Sequence, residues 1–163
     1  MRIYIVRHGK AADEGYKFDE DRPLTDEGRS LMRVTAKAWV DRGDVKPEIW
    51  LSSPLVRAVQ TCEICVDAFG LQGPVEITRT IVPEGQVSKA LDLVHELGVD
   101  TIALVSHEPF CSTFASHLVG DDYPRPFKKG ANAALDLTGP GKRATVAWHL
   151  EPAKAGRDPV FHP

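Results

Sequence analysis

The sequence predicts an α/β fold in which a mostly parallel central sheet has helices on both faces, a three-layer sandwich. Strand-like and helix-like patterns alternate along the 163 residues, and this alternation is typical of parallel sheets with crossover helices. The first strand, residues 3–6, is apolar throughout, as expected for a strand that is covered on both sides. We expect one domain over residues 1–150 and a frayed C-terminal tail over residues 151–163, which are rich in proline.

The first half of the chain contains two strands and two helices in this prediction. Residues 9–24 are polar and acidic and are expected to form a solvated loop. Thr25 is the predicted N-cap of a helix that ends near residues 42–43 and carries an apolar stripe that includes Leu31, Val34, Ala38 and Trp39. Residues 48–53 form the second predicted strand.

The second predicted helix follows directly, with Ser53 as its cap, Pro54 at its first position and Gly70 at its end. A weaker strand is expected over residues 75–81 and a helix over 87–97. Residues 101–109 read as a strand and residues 110–119 as a helix. The pattern ends in a hairpin of residues 132–137 and 144–150 that turns at 138–142.

Composition narrows the range of functions. The net charge of −3 provides no basic field that could hold nucleic acid or an anionic membrane surface. No membrane span or signal peptide is visible and the three cysteines are too few for a disulfide framework, so we expect a cytoplasmic protein. Cys62 and Cys65 lie within a helical pattern and are expected to be reduced, because further zinc ligands at suitable spacing are missing. No metal site and no cofactor are predicted.

Several chemically active side chains follow the predicted strands. In a parallel sheet the carboxyl ends of the strands meet at one edge, where ligands bind. The residues expected at this edge are Arg7 and His8 after the first strand, Ser52, Ser53 and Arg57 after the second, Glu84 after the third, and His107 and Glu108 after the fourth.

This set of side chains favours phosphoryl transfer. Arginine binds phosphate oxygens with two parallel hydrogen bonds, and Arg57 lies in the first turn of a predicted helix, where free N–H groups also attract anions. One neutral histidine can act as a nucleophile, while a second donates a hydrogen bond to developing charge. An acyl-transfer triad is disfavoured because the chain has no G-x-S-x-G nucleophile elbow.

Four blocks of sequence resemble the histidine phosphatase superfamily, which includes phosphoglycerate mutases and acid phosphatases. They are Arg7-His8-Gly9, the L-T-D-E-G at 24–28, the S-S-P-L-V-R-A-V-Q-T at 52–61 and the S-H-E-P at 106–109. The small size and the serine at position 106 are most similar to the SixA-type phosphohistidine phosphatases. The resemblance implies a phosphoglycerate mutase-like fold, His8 as the phosphorylated nucleophile, and Arg7, Arg57 and His107 as the phosphate-binding pocket. It leaves open which of Glu84 and Glu108, if either, is the proton donor, since each could also be a solvated loop carboxylate.

The function predicted on this basis is a metal-independent phosphatase with a phosphohistidine intermediate. The short chain has little room for a lid, and an open pocket suits phosphohistidine displayed on a protein such as a histidine phosphotransfer domain. Two alternatives remain at this stage. The same core could act on a small phosphomonoester, as a phosphatase or a mutase, or the chain could be a phosphoprotein-binding module without turnover.

Overall fold

Strands and helices alternate through most of the chain, as predicted. The computed structural model describes residues 1–70, 75–139, 141 and 143–163. The strands are β1 (Arg2–Arg7), β2 (Ile49–Ser52), β3 (Val75–Ile77), β4 (Thr101–Ser106), β5 (Asn132–Asp136), β6 (Thr145–Glu151) and β7 (Val160–His162). The helices are α1 (Asp26–Asp41), α2 (Val56–Ala68), α3 (Val87–Leu97) and α4 (Phe110–Val119), with short 3₁₀ helices at Asp19–Asp21 and Arg79–Ile81.

The strands form one sheet in the order β3-β2-β4-β1-β5-β6-β7. The pairs β3–β2, β2–β4 and β4–β1 are parallel, whereas β1–β5, β5–β6 and β6–β7 are antiparallel. The α/β prediction is confirmed, and the sheet is mixed rather than mostly parallel because the C-terminal strands return as a meander. The half that contains β1, β2 and β4 brings their carboxyl ends to the same edge.

Side chains of β1 point alternately to the two faces of the sheet. Ile3 and Ile5 lie in an apolar cluster with residues of α3 and α4. Tyr4 and Val6 lie in a second cluster with residues of α1 and α2. All four side chains are fully buried, so β1 is covered on both sides and the three-layer arrangement is confirmed.

Helix α1 begins where the sequence predicts it. Thr25 is the N-cap, and its hydroxyl accepts a hydrogen bond from the Gly28 N–H at 2.9 Å. The predicted apolar stripe is wrong at Val34, which is 47% exposed. The helix instead buries a stripe at i, i+3, i+4, i+7 spacing that runs through Met32, Thr35, Ala36 and Trp39. Thr35 can be buried because its hydroxyl is hydrogen-bonded, donating to a backbone oxygen one turn earlier and accepting a backbone N–H.

Helix α2 begins later than predicted. Its first residue is Val56 and its N-cap is Leu55, so the assignment of Ser53 as the cap and Pro54 as the first helical residue is wrong. The Ser53 hydroxyl lies 2.8 Å from the His107 Nε2 atom, and it is therefore directed toward the carboxyl edge of the sheet. The end of the helix is predicted correctly, since Gly70, with a positive φ of 61°, directly follows the C-cap residue Phe69.

The prediction of a frayed C-terminal tail is wrong. Strand β7 pairs with β6, and the Phe161 ring packs edge-on against Trp148 with ring centroids 5.3 Å apart. Ala153 is buried, and its N–H donates to the Thr35 hydroxyl of α1 at 3.0 Å. The tail therefore adds a strand and contacts the first helix. Of the predicted turn at 138–142, Pro140 and Lys142 lie outside the described residues.

Cys62, Cys65 and Cys111 are free and buried, and the C-x-x-C pair lies within α2, as the helical pattern predicts. Burial raises the pKa of the Cys62 thiol to about 12, so the thiol form is favoured at neutral pH. In the described part of the chain, no group of three or more His, Cys, Asp or Glu side chains could hold a metal ion. None of the helices among these residues is both long and apolar enough to cross a membrane.

Candidate active site

The carboxyl ends of three parallel strands bring polar side chains together. His8 follows β1, Ser53 follows β2 and His107 follows β4. The backbone continues the sheet pattern here, because the His8 N–H donates to the Ser106 carbonyl at 3.0 Å. The rings of His8 and His107 lie side by side with centroids 4.9 Å apart. The predicted convergence of the strand ends is therefore seen in the structure.

The hydrogen bonds of His8 select one tautomer. Its Nδ1 lies 2.7 Å from the Gly9 carbonyl oxygen, which can only accept, so Nδ1 carries the proton. The Arg57 Nε–H donates to His8 Nε2 at 3.3 Å, which requires a lone pair on Nε2. Burial is the main reason that the pKa of His8 is lowered to about 3, and the charges of Arg57 and Arg7 make smaller contributions in the same direction. His8 is therefore a neutral imidazole whose Nε2 lone pair faces the arginine.

Arg57 lies in the first turn of α2, and its side chain is 5% exposed. A guanidinium at this depth needs hydrogen-bond partners. Asp19 supplies two, since Nη1 donates to its backbone oxygen at 2.7 Å and Nη2 to its Oδ2 atom at 2.8 Å. The sequence interpretation missed Asp19, which it placed in a solvated acidic loop. Asp19 could have been suspected only indirectly: if Arg57 is buried, its guanidinium requires an anionic partner from elsewhere in the chain.

Arg7 is held by the loop that precedes β5. Its Nη1 donates to the Phe127 carbonyl, and its backbone carbonyl accepts the Gly130 N–H at 3.2 Å. The Phe127 ring is buried, with ring centroids 5.2 Å from Tyr123 and 5.2 Å from His149. The Arg7 Nε atom is buried and has no hydrogen-bond partner among the described residues. The loop therefore fixes one end of the guanidinium and leaves a donor for a ligand.

His107 is the second buried imidazole of the site. Its Nε2 lies 2.8 Å from the Ser53 hydroxyl, and its buried Nδ1 has no hydrogen-bond partner within the described ranges. Burial lowers the pKa of His107 to about 3, with smaller contributions from His8 and Arg57. The ring is therefore neutral at pH 7, and one of its nitrogens can donate a hydrogen bond.

The two candidate proton donors lie differently from the other predicted residues. Glu108 is bound to the start of α4, where its Oε1 accepts from the Ser112 hydroxyl at 2.6 Å and its Oε2 from the Ser112 N–H at 3.2 Å. Glu84 is exposed in the segment before α3, and no described residue is hydrogen-bonded to its carboxylate. The structure thus brings together His8, Arg57 and His107, with the charge of Arg7 acting on both rings. It shows no hydrogen bond from either glutamate to these four residues.

The site is cationic overall. Both imidazoles are neutral, so the positive charge comes from the guanidiniums of Arg7 and Arg57. Lys129 adds to it, since its charge also lowers the pKa of His8. Asp19 offsets part of this charge and stays ionised, because its hydrogen bond with Arg57 lowers its pKa. Such a site suits a compact polyanion with a nucleophile beneath it, which matches a phosphoryl group.

The chain is similar to known proteins in both sequence and fold. A family model described as "Histidine phosphatase superfamily (branch 1)" matches residues 3–81. Over 155 residues the chain is 32% identical to the phosphohistidine phosphatase SixA of Escherichia coli, covering 93% of this chain and 94% of that protein. A SixA homolog of Haemophilus influenzae is 29% identical, with 91% and 94% covered. The solved structure of a protein histidine phosphatase SixA with tungstate superposes with a TM-score of 0.81 at 32% identity, covering 91% of this chain and 96% of that one.

Proposed function

Because the chain belongs to the histidine phosphatase superfamily, we propose that it is a phosphohistidine phosphatase whose nucleophile is His8. The observation that carries the proposal is the state of this ring. Its Nδ1 proton is held by the Gly9 carbonyl and its Nε2 lone pair lies 3.3 Å from the Arg57 Nε atom. A nucleophile with one defined tautomer and a cation beside it needs little rearrangement before attack.

In the first step the His8 Nε2 lone pair attacks phosphorus. A new P–N bond forms, the P–N bond of the substrate breaks, and its electron pair leaves with the imidazole of the substrate histidine. Arg7, Arg57 and His107 donate hydrogen bonds to the three peripheral phosphoryl oxygens, because phosphoryl transfer depends mainly on positioning and electrostatic stabilisation. The Gly9 carbonyl stabilises the positive charge that His8 acquires.

In the second step water hydrolyses phospho-His8. The water oxygen bonds to phosphorus, the P–Nε2 bond breaks, and its electron pair returns to the ring. The proton released by the water leaves with phosphate or passes to solvent. His8 regains its Nδ1–H tautomer, and inorganic phosphate is the product. Besides the substrate and water, both steps use only side chains of this protein and the Gly9 carbonyl.

The substrate in this proposal is phosphohistidine on a protein, with a histidine phosphotransfer domain as the expected carrier. Leaving-group chemistry supports this choice. A phosphohistidine whose ring is protonated expels neutral imidazole, whose conjugate acid has a pKa of about 6.5, so a strong general acid is not required. An alkyl phosphate expels an alkoxide and depends on such an acid. In the structure Glu108 accepts a hydrogen bond from Ser112 and Glu84 is exposed. Since neither is held as a proton donor beside His8, a substrate with the easier leaving group is favoured.

The proposal is tested by trapping the intermediate. Rapid quenching with ³²P-labelled phosphohistidine protein should yield an acid-labile, alkali-stable adduct on the peptide that contains His8. His8→Ala should abolish both the adduct and turnover, whereas His117→Ala, which removes an exposed histidine of α4, should retain both. Near wild-type turnover in His8→Ala would contradict the assignment.

A substrate panel separates the proposed activity from its alternatives. We expect the value of kcat/KM to be highest for a phosphohistidine protein and much lower for alkyl phosphates. A preference for a small phosphomonoester would indicate a phosphomonoesterase, and transfer of phosphate between two hydroxyls would indicate a mutase. Binding of phosphoprotein without phosphate release would indicate a binding module.

A further inference from the structure

Asp19 contacts the candidate site through two separate groups. It begins the 3₁₀ helix Asp19–Asp21, in the loop between β1 and α1. Its backbone oxygen accepts from Arg57 Nη1 at 2.7 Å and its Oδ2 from Nη2 at 2.8 Å. The Asp19 side chain is 61% exposed while that of Arg57 is 5% exposed. A residue at the surface therefore contacts the end of a buried guanidinium.

These contacts determine which edge of Arg57 remains available. A guanidinium is planar and carries five N–H groups in a fixed arrangement. Asp19 accepts one N–H from each terminal nitrogen, which occupies the end of the group. The Nε–H and the second N–H of Nη2 form the side edge, and this edge faces His8, whose Nε2 lies 3.3 Å from Nε. The side edge is therefore the one that a phosphoryl group on His8 can reach.

Asp19 is itself held in place. Its Oδ1 accepts from Arg22 Nε at 2.8 Å and from Arg22 Nη2 at 2.7 Å. Arg22 Nη1 donates in turn to the Ala12 carbonyl at 2.8 Å. A continuous series of charge-assisted hydrogen bonds thus runs from the loop after β1 through Arg22 and Asp19 to Arg57. Such bonds are shorter and stronger than neutral ones and impose a geometry.

We propose that Asp19 is a positioning residue: by binding the end of the Arg57 guanidinium, it orients the side edge toward the phosphoryl group that His8 accepts. The inference rests on the proposed function, because it assigns the same phosphoryl group to the same pocket. Asp19 makes no contact with the substrate in this proposal. Its contribution is to keep Arg57 from rotating out of the orientation that phosphoryl transfer needs.

Kinetics of three variants test the assignment. Asp19→Ala should lower kcat about tenfold to a hundredfold, since small displacements of a positioned group cost rates of this size. Asp19→Asn keeps an oxygen acceptor and should lose less. Asp21→Asn removes one negative charge from the same 3₁₀ helix, and the exposed Asp21 side chain has no hydrogen bond or salt bridge among the described residues, so its kcat should be unchanged. The losses should be equal for phosphohistidine protein and for phosphoramidate, because Arg57 contacts the transferred group in both.

Binding of tungstate, a phosphate-like oxyanion, distinguishes an Asp19 that orients Arg57 from an Asp19 that acts only through its negative charge. Removing a nearby carboxylate would strengthen anion binding if Asp19 acted only through its charge. Loss of the Arg57 orientation would instead weaken it. We expect Asp19→Ala to raise the Kd for tungstate severalfold, Asp19→Asn to raise it less, and Asp21→Asn to leave it unchanged. Tighter binding by Asp19→Ala, or a loss of kcat confined to one substrate, would overturn the proposal.

The two hypotheses can fail separately. A wild-type protein that binds tungstate but hydrolyses no phosphohistidine contradicts the proposed function, while the tungstate series still decides the role of Asp19. Circular dichroism and urea unfolding show whether each variant is folded. If Asp19→Ala does not fold, Asp19→Asn decides: weaker tungstate binding supports the proposal and equal or tighter binding overturns it.

Discussion

At the scale of single residues, the burial and hydrogen bonding of Arg57 distinguish it from a cation at the surface. Its side chain is 5% exposed and donates to His8 and Asp19. Lys10, three residues after Arg7, is half exposed and pairs with Glu27 at the surface. We expect Arg57→Ala to lower kcat/KM about a hundredfold to a thousandfold, the usual cost of removing one donor to a developing charge.

Lys10→Ala is the matched control, because it also removes one cation near the site. A solvated cation is screened, so its effect should be modest and confined to low salt. Steady-state kinetics of both variants at 20 mM and 500 mM salt, about 20 Å and 4 Å in screening length, make the comparison. Similar losses for the two variants would show that Arg57 does not contact the phosphoryl group.

Whether either glutamate acts as a proton donor can be tested by comparing substrates with different leaving groups. Glu84→Gln and Glu108→Gln should slow hydrolysis of an alkyl phosphate much more than hydrolysis of phosphohistidine, whichever carboxyl group donates the proton, because neutral imidazole leaves readily. Rates for both variants on both substrates provide the measurement. An equal and severe loss on both substrates would indicate instead that the carboxylate orients a histidine or activates the water.

Residues at strand ends could be predicted, and residues that support them could not. His8, Arg57 and His107 carry unusual chemistry at positions that a parallel sheet brings together, so the pattern alone predicts that they lie together. Asp19 lies in an acidic stretch whose other members are solvated. Ser53 resembles an ordinary helix cap. Asp19 is hydrogen-bonded to Arg57, 38 residues away, and Ser53 to His107, 54 residues away. A local sequence pattern does not indicate contacts between segments so far apart.

At the scale of secondary-structure elements, the first turn of α1 packs closely against the loop that follows β1. A Cβ atom added at Gly28 would lie 2.1 Å from the Lys10 carbonyl oxygen. That oxygen also accepts the Thr25 N–H at 2.9 Å, so helix and loop cannot separate without losing a hydrogen bond. Only glycine allows this close approach to Lys10, which lies two residues after His8.

Gly28→Ala should therefore destabilise the fold. Overpacking at a rigid backbone contact costs about 1–3 kcal/mol, while the better helix propensity of alanine returns at most about 1 kcal/mol. Urea unfolding should show a lower midpoint, and kcat should fall because His8 moves with the loop. Ser30→Ala, at an exposed position of the same helix, is the control: it should leave kcat unchanged and should not lower the urea midpoint, because alanine is the better helix former.

The elements that were predicted well are those with local signals at their ends. The N-cap Thr25 and the terminal Gly70 mark boundaries that the structure confirms. The start of α2 was mistaken because Ser53-Pro54 imitates a cap, although Leu55 is the residue that precedes the helix. Strand β7 was missed because three residues between prolines carry too little periodicity. It forms because Phe161 packs against Trp148 of β6.

At the scale of the whole molecule, buried histidines make stability depend on pH. Burial lowers the pKa of His8 and His107 to about 3 and that of His149 to about 4. In the unfolded chain each has a pKa near 6.5, so the unfolded state binds more protons as the pH falls below this value. The free energy of unfolding therefore decreases as the pH falls below about 6.5. Each histidine contributes at most about 1.4 kcal/mol to this decrease per pH unit.

Urea unfolding at pH 7, 6 and 5 should therefore show a steadily decreasing free energy of unfolding. His149→Gln removes one of the three buried groups without changing the catalytic residues, and the decrease should become shallower. His95→Gln replaces an exposed histidine of α3, so the slope should match that of the wild type. A free energy that stays constant between pH 7 and pH 5 would contradict the burial of these rings.

The sequence predicts one half of the architecture better than the other. The pattern of β1, β2 and β4 with their crossover helices determines a parallel sheet and therefore the location of the site. The returning strands β5, β6 and β7 form a meander whose pairing depends on contacts with β1 and with one another. A hairpin was predicted there, but its place beside β1 was not.

The central position of β1 also has a consequence for the motions of the site. Strand β1 is hydrogen-bonded on one side to β4 and on the other to β5, and the His8 amide continues this pattern to Ser106. Amides enclosed in this way exchange with deuterium only when the whole domain opens, whereas amides of surface loops exchange during local fluctuations. We expect the amide of His8 to be among the slowest to exchange and the amides around Asp19 to exchange early. The backbone that carries His8 would then stay closed during turnover, while brief local fluctuations expose the amides of the neighbouring surface loop.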